Sequence, residues 1–293
     1  MVREVSKELY PFAQNAFDRD GIRLNYIDEG SGDPVLMVHG NPSWSFYYRG
    51  LVKRLSPNFR CIVPDHIGCG YSEKPGDDRY NYTLESRVDD LEALVNKLDL
   101  RGVRLVVHDW GGMIGMAWAV RNPERVKQIV VLNTGAFHNP KGLKLPPPLW
   151  LVRNTPLGSL LVRGLNGFAR GATLTCTTRK KLTPEIINGY VAPYDSWQDR
   201  IATLRFVEDI PLKPGDQAYD LVTATSEGLT KFADTPMMIC WGMKDFVFDE
   251  AFLVEWERRF PDADVHRFDD CGHYVLEDAQ EEIGELVQSF FGQ

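Results

Sequence analysis

Short apolar runs and longer amphipathic stretches alternate along the first part of the chain. Residues 12–30 read as a β-hairpin turned by Asp18-Arg19-Asp20-Gly21, since Asp-Gly supplies the positive φ of a tight turn. Val35-Leu36-Met37-Val38 is a buried strand running into His39-Gly40-Asn41-Pro42, a turn because the residue before a proline avoids the helical region. A helix is expected over 45–55, a strand over Arg60-Cys61-Ile62-Val63-Pro64, and a glycine-punctuated loop over 65–72. Over 83–98, Leu84, Val88, Leu91, Val95 and Leu98 share one helical face behind a capping Thr83. Arg104-Leu105-Val106-Val107 and residues 126–132 are further strands.

From about Phe137 the texture changes. Pro146-Pro147-Pro148 interrupts the chain, and helical pieces without β-runs follow to about residue 232. Strand texture returns at 236–241 and 264–268, and 274–291 closes the chain as one amphipathic helix. Strands alternating with helices on both sides of one helical block imply a mainly parallel, twisted α/β sheet flanked by helices, with an inserted helical cap. The expected division is a core of 1–136 and 225–293 and a cap of 137–224. No internal repeat or low-complexity tract is found.

One junction organises the rest. Val107-His108-Asp109-Trp110-Gly111 lies between a strand and a helix start rich in small residues. That is the setting of the nucleophile elbow of the α/β-hydrolase fold, where a tight turn exposes one side chain above the sheet. The nucleophile slot holds a carboxylate instead of a serine, and the first glycine slot holds Val107. A plain helix cap is the alternative role for Asp109.

Composition narrows the setting. The 293 residues carry a formal net charge of −8, which disfavours nucleic acid as a partner. The five cysteines are scattered without C-x-x-C spacing, and the N-terminus lacks the apolar core of a signal peptide. A reduced, cytoplasmic enzyme is expected. One asymmetry stands out: residues 141–184 hold eight Lys or Arg and no Asp or Glu, interleaved with apolar clusters. An amphipathic lid with solvated edges accounts for it, and so does a docking face for a membrane surface, an acidic partner or another copy of the chain.

A carboxylate nucleophile needs a base, an orienting acid and anion-stabilising donors. Of the six histidines, His273 in Asp270-Cys271-Gly272-His273 stands in the loop before the last helix, where this fold places its base. The acid must come between them in sequence. Asp245 follows a strong strand in Trp241-Gly242-Met243-Lys244-Asp245, Asp249 and Asp269 are less well placed, and the loop Leu132-Asn133-Thr134-Gly135 holds no acid. The backbone N–H groups of Asn41 and Trp110 would form the oxyanion hole, and their side chains add an amide and an indole donor suited to a departing anion. No H-E-x-x-H spacing suggests a metal, and no cofactor is expected.

His39-Gly40-Asn41-Pro42-Ser43-Trp44-Ser45-Phe46, His108-Asp109-Trp110-Gly111-Gly112, Trp241-Gly242-x-x-Asp245 and Gly272-His273 together resemble the haloalkane dehalogenases, through nearly the whole chain and least in the cap. The resemblance implies that Asp109 displaces halide from a small apolar substrate and that Asn41 and Trp110 hold the halide. His273, oriented by Asp245, then directs water onto the alkyl-enzyme ester. An acid at Asp245 combined with Asn41 is similar to the third dehalogenase subfamily. That subfamily resembles in turn the β-lactone decarboxylases of long-chain olefin biosynthesis, which is the alternative activity. An epoxide hydrolase is a further alternative, requiring two acids from Tyr190, Tyr194 and Tyr219.

Overall fold

The computed structural model describes residues 5–142 and 145–293, so Met1–Glu4 of the N-terminus and Lys144 of the basic stretch lie outside the described residues. Eight strands form one sheet: β1 (Asn15–Arg19), β2 (Ile22–Glu29), β3 (Pro34–Val38), β4 (Arg60–Pro64), β5 (Val103–Asp109), β6 (Val126–Thr134), β7 (Met237–Gly242) and β8 (Asp264–Phe268). Their order is β1-β2-β4-β3-β5-β6-β7-β8. The pairs β1–β2 and β2–β4 are antiparallel and the remainder parallel. The hairpin turns on Asp20-Gly21, both at positive φ.

The central strands are covered on both faces, which is why they read as unbroken apolar runs. Alternate residues feed two cores. Leu36, Val38, Leu105, Val107, Ile129 and Val131 enter one, while Val35, Met37, Val106, Val130 and Leu132 enter the other. Helices α2 (Leu84–Lys97) and α3 (Trp110–Arg121) pack into the first; α1 (Arg49–Leu55) and the C-terminal helix pack into the second. Thr83 caps α2 by accepting the Ser86 backbone N–H.

Two expected helices are divided. Residues 45–55 form a 3-10 turn, Ser45–Tyr48, before α1. The C-terminal helix breaks at Ala279 into Val275–Asp278 and Gln280–Phe291. At the break, Asp278 turns its carboxylate back to accept N–H groups of Gly272, Thr178 and Arg179. The proline run begins a helix, with Pro147 and Pro148 in its first turn, where a missing N–H costs nothing.

Between β6 and β7 the regular elements are helical, from Pro147–Asn154 through Gly167–Thr175, Pro184–Val191 and Ile201–Glu208 to Tyr219–Gly228. Leu149, Val152, Val162, Leu204 and Val207 give them a small core of their own. A buried ionic contact ties this block to the sheet layer. Arg49 grips Glu277 at 2.5 and 3.0 Å, and Tyr190 of the helix Pro184–Val191 donates its hydroxyl to the same carboxylate at 2.5 Å. Among the described residues, no helix is long and apolar enough to cross a membrane.

Candidate active site

Asp109 ends β5 and immediately precedes α3, with φ 52° and ψ −128°. A non-glycine residue held there is strained by about 1–3 kcal/mol, and the flanking glycines make the geometry reachable. A side chain at Gly111 would strike the Val38 carbonyl, and one at Gly40 would strike the Asp109 carboxylate itself. The strained turn lifts the carboxylate above the ends of the parallel strands.

The Asn41 backbone N–H donates to Asp109 Oδ1 at 2.5 Å, and the Trp110 backbone N–H also serves this carboxylate. The two expected oxyanion donors thus already serve the carboxylate, Asn41 at one of its two oxygens. The other, Oδ2, lies 3.6 Å from His273 Nε2. Burial raises the Asp109 pKa above the ordinary 3.8; His273 and the two N–H groups oppose that rise without cancelling it.

His273 Nδ1 lies 2.7 Å from Asp245 Oδ2, which assigns the proton to Nδ1 and leaves Nε2 facing Asp109. Burial lowers the His273 pKa, but the charge and hydrogen bond of Asp245, together with Asp109, outweigh it and leave the net shift upward from 6.5. Asp245 is fixed in turn. Its Oδ1 accepts the N–H groups of Val247 and Phe248 at 2.7 and 3.1 Å, and Oδ2 accepts the Asn133 side chain at 3.0 Å. Asn133 was missed by sequence reasoning: the end of β6 supplies no acid, but it supplies the amide that holds the acid from beyond the next strand. Its signal was an amide in a place where this fold can carry a carboxylate.

His39, His66 and His108 support backbone. His108 bonds the His273 carbonyl through Nε2 at 2.9 Å, and His66 Nε2 lies 2.9 Å from the His39 carbonyl. The Asn41 side-chain amide donates to the Thr203 carbonyl at 3.1 Å, which leaves its second amide hydrogen for the cavity. Behind Trp110 stands Phe206, with ring centroids 5.3 Å apart, and the buried Arg87 guanidinium lies 3.7 Å over the Phe206 ring.

Asn41, Asp109, Trp110 and His273 form the polar floor of a cavity of about 690 Å³. Its walls are apolar, with Leu149, Phe168, Val207, Ile210, Phe248 and Phe252 among them. This volume lies in the range of small-molecule sites. Of the three tyrosines weighed as acids for epoxide opening, only Tyr219 lines the cavity. Tyr190 is turned to Glu277 and Tyr194 to the Ser43 carbonyl, so the pair of phenols that chemistry requires is not assembled.

Comparison with known proteins agrees with the fold. A family model described as the alpha/beta hydrolase fold matches residues 33–280. A cis-3-alkyl-4-alkyloxetan-2-one decarboxylase from Shewanella oneidensis is 56% identical over 96% of the chain and 89% of its own length. A protein of the same name from Xanthomonas campestris is 45% identical, covering 96% of each chain. Among solved structures, haloalkane dehalogenase DatA from Agrobacterium tumefaciens superposes with a TM-score of 0.85 at 25% identity, covering 98% of this chain and 99% of that one.

Proposed function

The chain belongs to the alpha/beta hydrolase fold family and is a haloalkane dehalogenase-like enzyme, and from that premise we propose that it decarboxylates cis-3,4-dialkyl β-lactones to cis-alkenes. The observation that carries this reading is the 56% identity, along essentially the whole chain, to a decarboxylase of that name, against 30% to a haloalkane dehalogenase over the same span. The two readings drawn from the sequence therefore change places, with lactone first and haloalkane second. The apolar cavity above one carboxylate suits alkyl chains of either substrate.

The site's chemistry can be written without a cofactor. Asp109 Oδ2 attacks the ring carbon that bears the ring oxygen, from the side opposite that bond. The carbon–oxygen bond breaks, and the opened ring becomes a carboxylate near the free Asn41 amide hydrogen and the Trp110 indole. The bond between that carboxyl carbon and its neighbour then breaks. Carbon dioxide leaves, the bonding pair becomes the alkene, and Asp109 departs with its own electrons. Inversion at the first step and anti departure at the second together preserve the cis geometry. No water is consumed and no net proton is transferred. His273, oriented by Asp245, faces the attacking oxygen and, when protonated, helps keep it ionised.

A bromoalkane would alkylate Asp109 by the same attack. With no carboxylate to lose, the ester would then depend on water activated by His273 Nε2. The direct test runs a cis-disubstituted long-chain β-lactone beside terminal bromoalkanes, following alkene and carbon dioxide in one stream and bromide in the other. Catalytic efficiency should be orders of magnitude higher for the lactone. It should rise with alkyl length by roughly fourfold per methylene, at ~0.8 kcal/mol each. Efficient bromoalkane turnover with an inert lactone would overturn the reading.

The pH profile separates the two routes further. Ester hydrolysis needs neutral His273, so bromoalkane turnover should fall about tenfold per pH unit below its raised pKa, in a window starting above 6.5. Decarboxylation needs only ionised Asp109, so it should persist through that window. It should fail as the pH drops through the Asp109 pKa, which lies above 3.8. A lactone profile coincident with the bromoalkane profile would rule out the water-free route.

A further inference from the structure

Among the described residues, eight large apolar side chains are exposed, and their distribution is uneven. Trp150, Leu157, Leu160, Leu165, Leu174 and Trp197 all belong to the helical block between β6 and β7, and Phe246 stands at the cavity. Isolated exposed leucines need no explanation, but a concentration of them marks a binding surface. Leu174 is 74% exposed, Leu165 64% and Trp150 53%.

Part of this apolar set lies beside the cavity: Phe246 lines it, and Trp150 and Leu174 adjoin lining residues in sequence. Of the lining residues, Gly142, Gly167, Thr175 and Phe246 are the exposed ones, the others being half-buried or buried, and they mark the opening. On the helix Gly167–Thr175, the stripe Gly167-Gly171-Thr175 faces the cavity. Arg170 and Leu174 stand one step around that helix on its exposed side. Trp150 follows the cavity-lining Leu149 in the same way. Arg163 lies 4.7 Å over the Trp197 ring, and Leu160 and Trp197 both border Gly164.

The charge of this region is opposite to that of the rest. Residues 141–184 hold eight cations and no acid, in a chain of net charge −8. Lys141, Arg153 and Arg179 are engaged by Asp249, by Asp216 and by Asp270 with Glu282, whereas Arg170, Lys180 and Lys181 are exposed. Exposed tryptophan and leucine interleaved with cations fit the headgroup boundary of an anionic bilayer, where apolar side chains enter the acyl edge and cations meet phosphate.

We propose that this face docks on the surface of a membrane containing anionic lipid, so that the cavity mouth opens onto the bilayer. The inference rests on the long-chain lactone reading in one respect: a substrate of that class partitions into lipid, and its alkene product does so as well. A docked mouth lets both pass between bilayer and cavity without crossing water.

The test is flotation of the full chain with vesicles, in the absence of substrate. The native protein should float with phosphatidylglycerol vesicles, remain behind with phosphatidylcholine vesicles, and be released by salt. The double variant Trp150→Ser/Leu174→Ser should bind anionic vesicles at least about tenfold more weakly, and Arg170→Glu roughly fivefold or more. None of these side chains lines the cavity, so turnover of a short soluble β-lactone should match the native rate. Turnover of a long-chain lactone supplied in anionic vesicles should fall with binding. Failure of the native protein to float, or flotation indifferent to the variants, overturns docking. So does sedimentation showing a native dimer that the same variants dissociate, because the face would then belong to a second copy. Flotation without lactone turnover would count against the decarboxylase reading and leave docking intact.

Discussion

Exchanging Asp109 for alanine should lower cis-alkene formation by about 10⁴-fold or more, the scale on which covalent catalysts lose rate when the nucleophile is removed. Asp109 supplies an oxygen that stands beneath the cavity and 3.6 Å from His273 Nε2. The donors from Asn41 and Trp110 have nothing to hold in place of its carboxylate. Folding should not suffer, because the carboxylate is buried at a cost and its backbone is strained at φ 52°. Gas chromatography of alkene from a long-chain lactone, with thermal unfolding as control, measures both. A variant within tenfold of the native rate would exclude Asp109 as the nucleophile.

The second large effect concerns stability. Glu277→Ala should cost ~3–5 kcal/mol, because it leaves the Arg49 guanidinium buried and unpaired. Arg49 and Glu277 are 6% and 3% exposed at their side chains, and the Tyr190 hydroxyl loses its acceptor in the same substitution. Thermal unfolding should shift down by roughly 10 °C. The triple variant Arg49→Met/Glu277→Leu/Tyr190→Phe removes charge and hydroxyl together, and it should unfold near the native temperature. If Glu277→Ala proves neutral, or the triple variant is as unstable as the single, the contact does not act as a buried ion pair.

Much of this was legible from the order of residues. Period-two and unbroken apolar runs place β3, β5 and β7 because those strands are buried on both faces. The elbow was readable despite Val107 in a glycine slot, since strain falls on Asp109 and close approach on Gly111. What escaped was non-local. Nothing near Asn133 in sequence reveals that it reaches Asp245, 112 positions away. Nothing around Tyr190 or Tyr194 shows that their hydroxyls turn to Glu277 and Ser43 instead of the cavity. The choice between lactone and halide was also out of reach, because one carboxylate and the same two donors serve both leaving groups.

The bond from the Asn41 amide to the Thr203 carbonyl has a consequence for transplantation. Thr203 belongs to the helix Ile201–Glu208, and two further ties run alongside: the Trp44 indole donates to the Gly189 carbonyl, and the Tyr194 hydroxyl to Ser43. The helical block therefore holds the very loop that presents one of the anion donors. A chimera that takes its helices from one relative and its sheet from another inherits half of an orienting frame from each parent. Recombination across this seam should change how firmly Asn41 is aimed before it changes which chains fit above it, and hybrid enzymes should lose turnover of every substrate together.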